Sequence, residues 1–553
     1  MSDAIKAKLI RLYGEDAAHQ TYEQITTIMA PLHEGTPDKL AVSEQDVILI
    51  CYGDHVQADD APPLEALHNF LKSHVHPTIN SVHILPFFPW SSDDGFSVID
   101  YYAVDPALGD WPHVRAMNAD FRLMFDAVFN HMSSQSDWFQ KYLAGEAPYN
   151  DYFVDVPPET DLSAVVRPRA LPLLSPYETV DGTKHVWTTF SDDQIDLNIK
   201  NPAVLIELLK ILRFYIEQGA SLIRLDAIAF LWKEIGTSSI HLEETHLVIQ
   251  LMRDYLNVIA PDVIIITETN VPHEENISYF GDGTNEAQLV YQFPLPPLVL
   301  HTLAAGDTTH LTQWAQSLEP LGEQTTFFNF TASHDGIGLR PVTGILSADE
   351  IETLVSRTKS HGGHVSYKNN SDGSQSPYEM NITYFDAITD SAITAAQPET
   401  AVKRFLVSQA IPMALAGVPG IYFSSLFGAR NWTEGVAQTG RNRTINRRKF
   451  DSNALSADLQ SETLRGRVFA EMMKLLEHRR KSPALHPLAK QTVLDCGPHV
   501  FAVLREAENG HVLLALHNVT GDIADVTLPE ADIEKFGEVA DLQPYEIRWI
   551  DHD

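Results

Sequence analysis

Four short segments of the chain carry side chains suited to acid–base and nucleophilic chemistry: Asp126-Ala-Val-Phe-Asn130-His131, Arg224-Leu-Asp226, Thr267-Glu268-Thr269 and Ser333-His334-Asp335. Arg224 and Asp226 stand two residues apart in an apolar run, Leu222 to Ile228, so on a strand they share a face. A guanidinium beside a carboxylate keeps it ionised, and a fixed, ionised aspartate is a candidate nucleophile. Taken alone, the pair serves equally well as an ion pair closing a strand end. Brought together, the four segments would place four carboxylates, two imidazoles and an arginine in a small volume. Cleaving a glycosidic bond with retention needs such a set. One carboxylate attacks, a second carboxyl of raised pKa protonates the leaving oxygen, and nearby charge stabilises an oxocarbenium-like state.

The elements that could position these groups are short apolar runs with helical spacing between them. They are Asp46–Asp54, Ser81–Phe87, Arg122–Asn130, Ser221–Ile228, Asp262–Thr269, Leu289–Phe293, Thr325–His334 and Gly420–Leu426. Strands buried on both faces read as continuous apolar runs, and eight of them match an α/β fold of the (β/α)8 TIM-barrel type. Pro202–Gln218 and Leu242–Val258 have the pattern of crossover helices. The four chemical segments then end strands three, four, five and seven, at the mouth where barrel sites lie. Two connections exceed plain loops, the proline-rich 131–201 and 337–383, which contains HGGHVSYKNNSDGSQSP; both are expected to be lids over the mouth. From about 485 the pattern changes to HVFAVLRE, Glu508-Asn509-Gly510 and HVLLALHNVT, a hairpin signature. The expected plan is an N-terminal helical extension (1–45), a barrel in three parts (46–130, 202–336, 384–484), inserts at 131–201 and 337–383, and a C-terminal antiparallel β domain (485–553).

The chain has 39 basic and 74 acidic residues and a net charge of −35, which argues against nucleic acid or anionic membrane as partner. The two cysteines, Cys51 and Cys496, are expected to be free thiols of a reducing, cytoplasmic compartment. The N-terminal MSDAIKAKLIRLYGED reads as an amphipathic helix, and no apolar run is long enough to span a bilayer. No cofactor motif is recognised, and Asp151, Asp155 and Asp161 lack the spacing of a calcium cage, so no metal is expected.

In their order the four segments resemble the signature regions of the α-amylase superfamily. Ser91-Ser-Asp-Asp94-Gly-Phe96, Arg167-Pro168-Arg169, Lys233-Glu234 with Gly236-Thr237-Ser238, Asp335-Gly-Ile-Gly338 and Asn442-Arg443-Thr-Ile-Asn446-Arg447 are similar to its sucrose phosphorylase subfamily. Within it, WSSDDGFSVIDY (90–101), DLSAVVRPRALPLL (161–174), SPYEMNITY (376–384) and the N-terminal extension resemble the glucosylglycerate phosphorylases.

This resemblance implies reversible, retaining phosphorolysis of a small α-glucoside to α-glucose 1-phosphate. Asp226 would be the nucleophile, Glu268 the acid/base and Asp335 the transition-state stabiliser beside His334, with Arg224 keeping Asp226 ionised. Asp94, His131 and Arg443 would clamp the terminal glucose. Phe96 and Phe190 would supply an apolar platform, or else simply barrel-mouth core. Arg169 and Tyr378 would contact phosphate. Phe230 and Asn270 replace the tyrosine and histidine usual in sucrose phosphorylases, and Ser376-Pro377-Tyr378-Glu379 replaces Asp-Leu-Tyr-Gln. These changes fall in the acceptor half and favour 2-O-α-D-glucosylglycerate, with sucrose and 2-O-α-glucosylglycerol as alternatives. A glycerate carboxylate needs a cation, nominally Arg169, Arg167 or Lys233, and Glu379 would repel it unless it binds hydroxyls. A glucosidase or transglucosylase on the same barrel, or a non-catalytic sugar-binding relative, are the rival classes. A homodimer is a further expectation from the subfamily.

Overall fold

The computed structural model describes residues 2–33, 35, 40–169, 171–319, 321–369 and 374–552. Eight parallel strands close into a barrel in chain order: β1 (Ile48–Cys51), β2 (Ser81–Ile84), β3 (Arg122–Ala127), β4 (Ala220–Leu225), β5 (Ile264–Thr267), β6 (Leu289–Tyr291), β7 (Thr326–Phe330) and β8 (Val418–Tyr422). Each falls on one of the eight apolar runs but is shorter, because pairing stops where the chain turns out to the mouth. Asp226 and Glu268 are the first residues past β4 and β5. The last strand differs most from expectation. It starts at Val418, and Phe423–Phe427 is a 3₁₀ helix. Gly420 lies inside it, where a Cβ would stand 2.3 Å from the Phe328 ring; the strand admits glycine because an aromatic side chain occupies that space. The crossover helices Pro202–Glu217 and Glu243–Ile259 lie where the sequence pattern places them.

Both long connections carry structure. In the first, the helix Asp137–Leu143 starts at Ser136, whose side chain accepts from Phe139 N–H. A hairpin joins Leu174–Thr179 to Gly182–Trp187, and His131–Ser133 pairs with Gln194–Asp196. In the second, a Ser347/Glu350 capping box starts the helix Ala348–Ser360. The glycine-rich stretch then forms a hairpin, His364–Asn369 against Gln375–Asn381, whose second arm also pairs with Ile337–Gly338. Residues 370–373 of that stretch lie outside the described residues. Just past this pairing, Leu339 N–H donates to Tyr378 O at 3.0 Å.

The N-terminal segment is two helices, Ser2–Tyr13 and Glu15–Thr27, broken at Gly14 (φ +78°). It packs on the outer barrel through Lys8 Nζ to Asp254 Oδ2 (2.7 Å) and Tyr255 Oη to Ile28 O (2.9 Å). At the other end, Lys490–Asp495, Val500–Glu506, Val512–Asn518 and Ile547–His552 form an antiparallel sheet in that order. Buried Arg505 ties it to the barrel helix Pro398–Ala414 by donating to Ala414 O at 2.8 Å. Both cysteines are buried and unbridged. Among the described residues no helix is long and apolar enough to cross a membrane.

Candidate active site

β4 delivers Arg224 and Asp226 to the barrel mouth, and the β3–β4 register sets Asp126 opposite Arg224. Arg224 is buried; its Nη1 donates to Asp226 Oδ1 at 2.7 Å and to Asp126 Oδ1, while Nη2 stands 3.8 Å from Glu268 Oε2. The far oxygen of Asp126 meets His83 Nε2 at 2.6 Å. Ala227 follows in the left-handed region (φ +48°), a conformation that costs a non-glycine residue about 1–2 kcal/mol. The turn aims its N–H at Glu268, whose Oε2 accepts at 3.1 Å.

The surroundings of Asp226 work against the ionisation that Arg224 favours. Burial raises the Asp226 carboxyl to about 8 against the pull of Arg224, and the charges of Glu268 and Asp126 add to the rise. Burial also raises Glu268, again against Arg224. Two carboxyls so coupled share one proton over a wide pH range. Arg224 decides its place: the guanidinium is hydrogen-bonded to Asp226 and farther from Glu268, so the charge rests on Asp226 and the proton on Glu268.

Asp335 follows β7. Burial works to raise it, but Arg443 above all, with Arg447 and Arg224, holds it far below the usual carboxylate range. His334 is neutral, lowered by burial to about 3. Its ring stacks on Phe96 with centroids 4.7 Å apart and planes 5° from parallel. Phe190 leans on His131 at 5.2 Å and meets Phe230 edge-on at 5.6 Å.

All the site residues selected from sequence border one pocket except Asp94 and Arg224. Arg224 lies beneath it. Asp94 lies in the adjoining cleft, ion-paired with Arg447 and 3.5 Å from Arg441 Nη1. Asp93 takes the pocket-facing place, 3.5 Å from Arg169 Nη2. Consecutive left-handed residues, Asp93 (φ +53°) and Asp94 (φ +51°), send the two neighbours apart. The segment is fastened by Asp193 Oδ2, which accepts from Ser91 (2.6 Å), Ser92 (2.5 Å) and Ser97 (2.9 Å), while Oδ1 accepts from Ser134 (2.5 Å).

The implied grouping of Asp94, His131 and Arg443 is therefore divided. Arg447 holds Asp94, and Arg443 spans Asp335 (Nη1 to Oδ1, 2.5 Å) and Glu379 (Nε to Oε1, 3.0 Å; Nη2 to Oε2, 2.6 Å). Glu379 thus enters the pocket wall already paired, which removes the repulsion expected of it. Of the three cations considered for an acceptor carboxylate, only Arg169 borders the pocket. Lys233 is buried between Asp196 Oδ2 and Asn130 Oδ1, both at 2.7 Å, and Arg167 is exposed outside.

Three residues that sequence reasoning did not select, Asp93, Arg340 and Arg447, stand in or beside the site. Arg447 lay in a motif already singled out; Arg340, five residues past Asp335, carries no local signature. Asp151, Asp155 and Asp161 are engaged separately: with Asn198, with Tyr142 and Lys184, and with the Ser163 amide. Among the described residues His301, His310 and Glu350 have metal-ligand spacing, but none borders the pocket and Glu350 already caps a helix.

Comparison with known proteins matches residues 76–338 to the family "Alpha amylase, catalytic domain". Glucosylglycerate phosphorylase of Spirochaeta thermophila is 46% identical over 528 residues, covering 94% of this chain and 89% of the relative. The glucosylglycerate phosphorylase of Allomeiothermus silvanus is 49% identical over 512 residues, covering 92% and 91%. Among solved structures, sucrose 6F-phosphate phosphorylase from Thermoanaerobacter thermosaccharolyticum shares the fold, with a TM-score of 0.74 at 24% identity over 86% of this chain and 94% of that one.

Proposed function

The chain belongs to the α-amylase family, and on that footing we propose that it is a retaining phosphorylase of 2-O-α-D-glucosylglycerate, acting in the cytoplasm. Asp226 attacks the anomeric carbon while Glu268 gives its proton to the glycerate oxygen. Glycerate leaves, and a β-glucosyl ester of Asp226 remains. Phosphate then attacks the same carbon as Glu268 takes its proton, which frees Asp226 and yields α-glucose 1-phosphate. Two inversions give net retention.

Asp335 stabilises the oxocarbenium-like state. His131 and Arg443 bind the glucose together with Asp93, which stands in the pocket where Asp94 was expected, and Phe96 and Phe190 are the apolar walls. Arg169 and Tyr378 take the phosphate. The Tyr378 phenol, pushed up to about 12 by burial and Glu379 against Arg169, remains a hydrogen-bond donor.

The observation that carries the choice of acceptor is the Arg443–Glu379 pair. It neutralises the carboxylate that would repel an anionic acceptor, and Arg169 still faces the same pocket. The test is incubation with glucosylglycerate, sucrose and glucosylglycerol, each with and without phosphate. Glucose 1-phosphate should form from glucosylglycerate only when phosphate is present. Glucose released equally fast without phosphate would assign the protein to the glucosidases. In reverse, glycerate should outperform glycerol and fructose.

A further inference from the structure

We propose that Arg340 and Asn270 form a subsite for the carboxylate of the acceptor acid, apart from the Arg169–Tyr378 side that takes phosphate; this rests on the glucosylglycerate reading above. In a 2-O-glucosylglycerate the carboxylate sits on the carbon that bears the glycosidic oxygen. It must therefore lie close to the proton donor, Glu268. The pocket wall beside Glu268 is made by Thr269, Asn270 and Val271, and the guanidinium bordering the pocket with them is Arg340.

Arg340 also differs from Arg443 in how it is engaged. Arg443 is held by Asp335 and by the buried Glu379. Arg340 has a partly exposed side chain, and its ion-pair partner is Glu275 at 3.3 Å, 42% exposed. That carboxylate is shared with His241 Nε2 at 3.1 Å. Solvated pairs of this kind contribute little, so Glu275 steadies the guanidinium without consuming its capacity to bind a second carboxylate.

Asn270 supplies the independent sign of a ligand. Its Oδ1 is buried and finds no hydrogen-bond partner among the described residues. The amide is pinned against the backbone of Gly338, where a Cβ would stand 2.9 Å from Nδ2. A fixed amide with an unpaired atom in a pocket wall suits the hydroxyls of a small polyol acid, whose O–H groups donate to it while Arg340 takes the carboxylate.

The test uses the full-length enzyme in the synthetic direction, with glucose 1-phosphate as donor and glycerate or glycerol as acceptor. Arg340→Gln should lower the ratio of kcat/KM for glycerate to that for glycerol at least thirtyfold, and Arg340→Lys should recover part of that ratio. In phosphorolysis, Arg340→Gln should raise the KM for phosphate by a smaller factor than it raises the KM for glycerate in synthesis; Arg169→Gln should do the reverse. An unchanged acceptor ratio, or equal rises in both KM values, overturns the subsite. A wild-type enzyme that does not favour glycerate over glycerol overturns the glucosylglycerate reading itself, before any variant is made.

Discussion

One guanidinium, that of Arg443, joins Asp335 at 2.5 Å to Glu379 at 2.6 Å, so a carboxylate of the glucose half and one of the acceptor half share a cation. Breaking this partly buried arrangement from its two sides should have unequal results. Arg443→Gln strips the buried Glu379 of its cation and leaves Asp335 with the farther Arg447 and Arg224, a loss approaching the ~3–5 kcal/mol of a broken buried pair. Glu379→Gln leaves Arg443 on Asp335. Phosphorolysis of glucosylglycerate should therefore fall by about a thousandfold or more for Arg443→Gln and by about tenfold for Glu379→Gln, with melting temperature dropping in the same order. Equal losses would contradict the geometry.

The Asp226–Glu268 pair predicts how stability varies with pH. Burial raises both carboxyls, Asp226 to about 8, so the folded pair holds one proton, on Glu268, at pH values where both are ionised in the unfolded chain. Over that window the folded state binds more protons than the unfolded chain, so stability is lost as pH rises through it. Asp226→Asn removes that loss. The variant should melt about 2–4 °C above wild type at pH 8 and show no such advantage at pH 4, while turnover of glucosylglycerate disappears. Calorimetry at both pH values checks the sign; a variant less stable than wild type at pH 8 would refute it.

Gly336 gives a prediction about the second insert. A Cβ there would stand 2.6 Å from Glu379 Cγ and 2.7 Å from Met380 O, the latter a backbone atom with little freedom to yield. Gly336→Ala should push the strand Gln375–Asn381 away from the mouth. Overpacking by one methyl costs about 1–3 kcal/mol, here expressed as a rise of about tenfold in the KM for phosphate and for glycerate. Competitive inhibition by glucose should weaken less, since Phe96, His131 and His334 lie on other elements. Steady-state kinetics with both acceptors and with glucose as inhibitor separates the two effects.

The barrel was legible because all eight strands are buried on both faces and so appear as uninterrupted apolar runs. The carboxylates were legible because each lies at or just past a strand end. What escaped the sequence depends on contacts between distant segments. Asp93 faces the pocket in place of Asp94 because two successive left-handed residues turn them apart, which their identities do not announce. Arg443 and Arg447 are four residues apart in one 3₁₀ turn and its continuation, and their choice of partner is made by Asp94, Asp335 and Glu379, none of them local. Lys233 looked available as a cation until Asp196, from the first insert, was found against it. Arg340 acquires its meaning from Asn270 and Glu275, on the loop and helix after β5.

The hydrogen bond from Leu339 N–H to Tyr378 O joins the segment bearing Arg340 to the one bearing Tyr378 and Glu379. This bond and the adjoining pairing hold the two segments in one register, so a shift of backbone path in either is passed to its neighbour. Acceptor switching is therefore expected to proceed by paired replacements, at 340 and within 376–379, while Asp226, Glu268 and Asp335 stay as they are. Across related sequences these two stretches should vary together, and grafting one without the other should yield enzymes that still form the glucosyl ester but transfer it poorly.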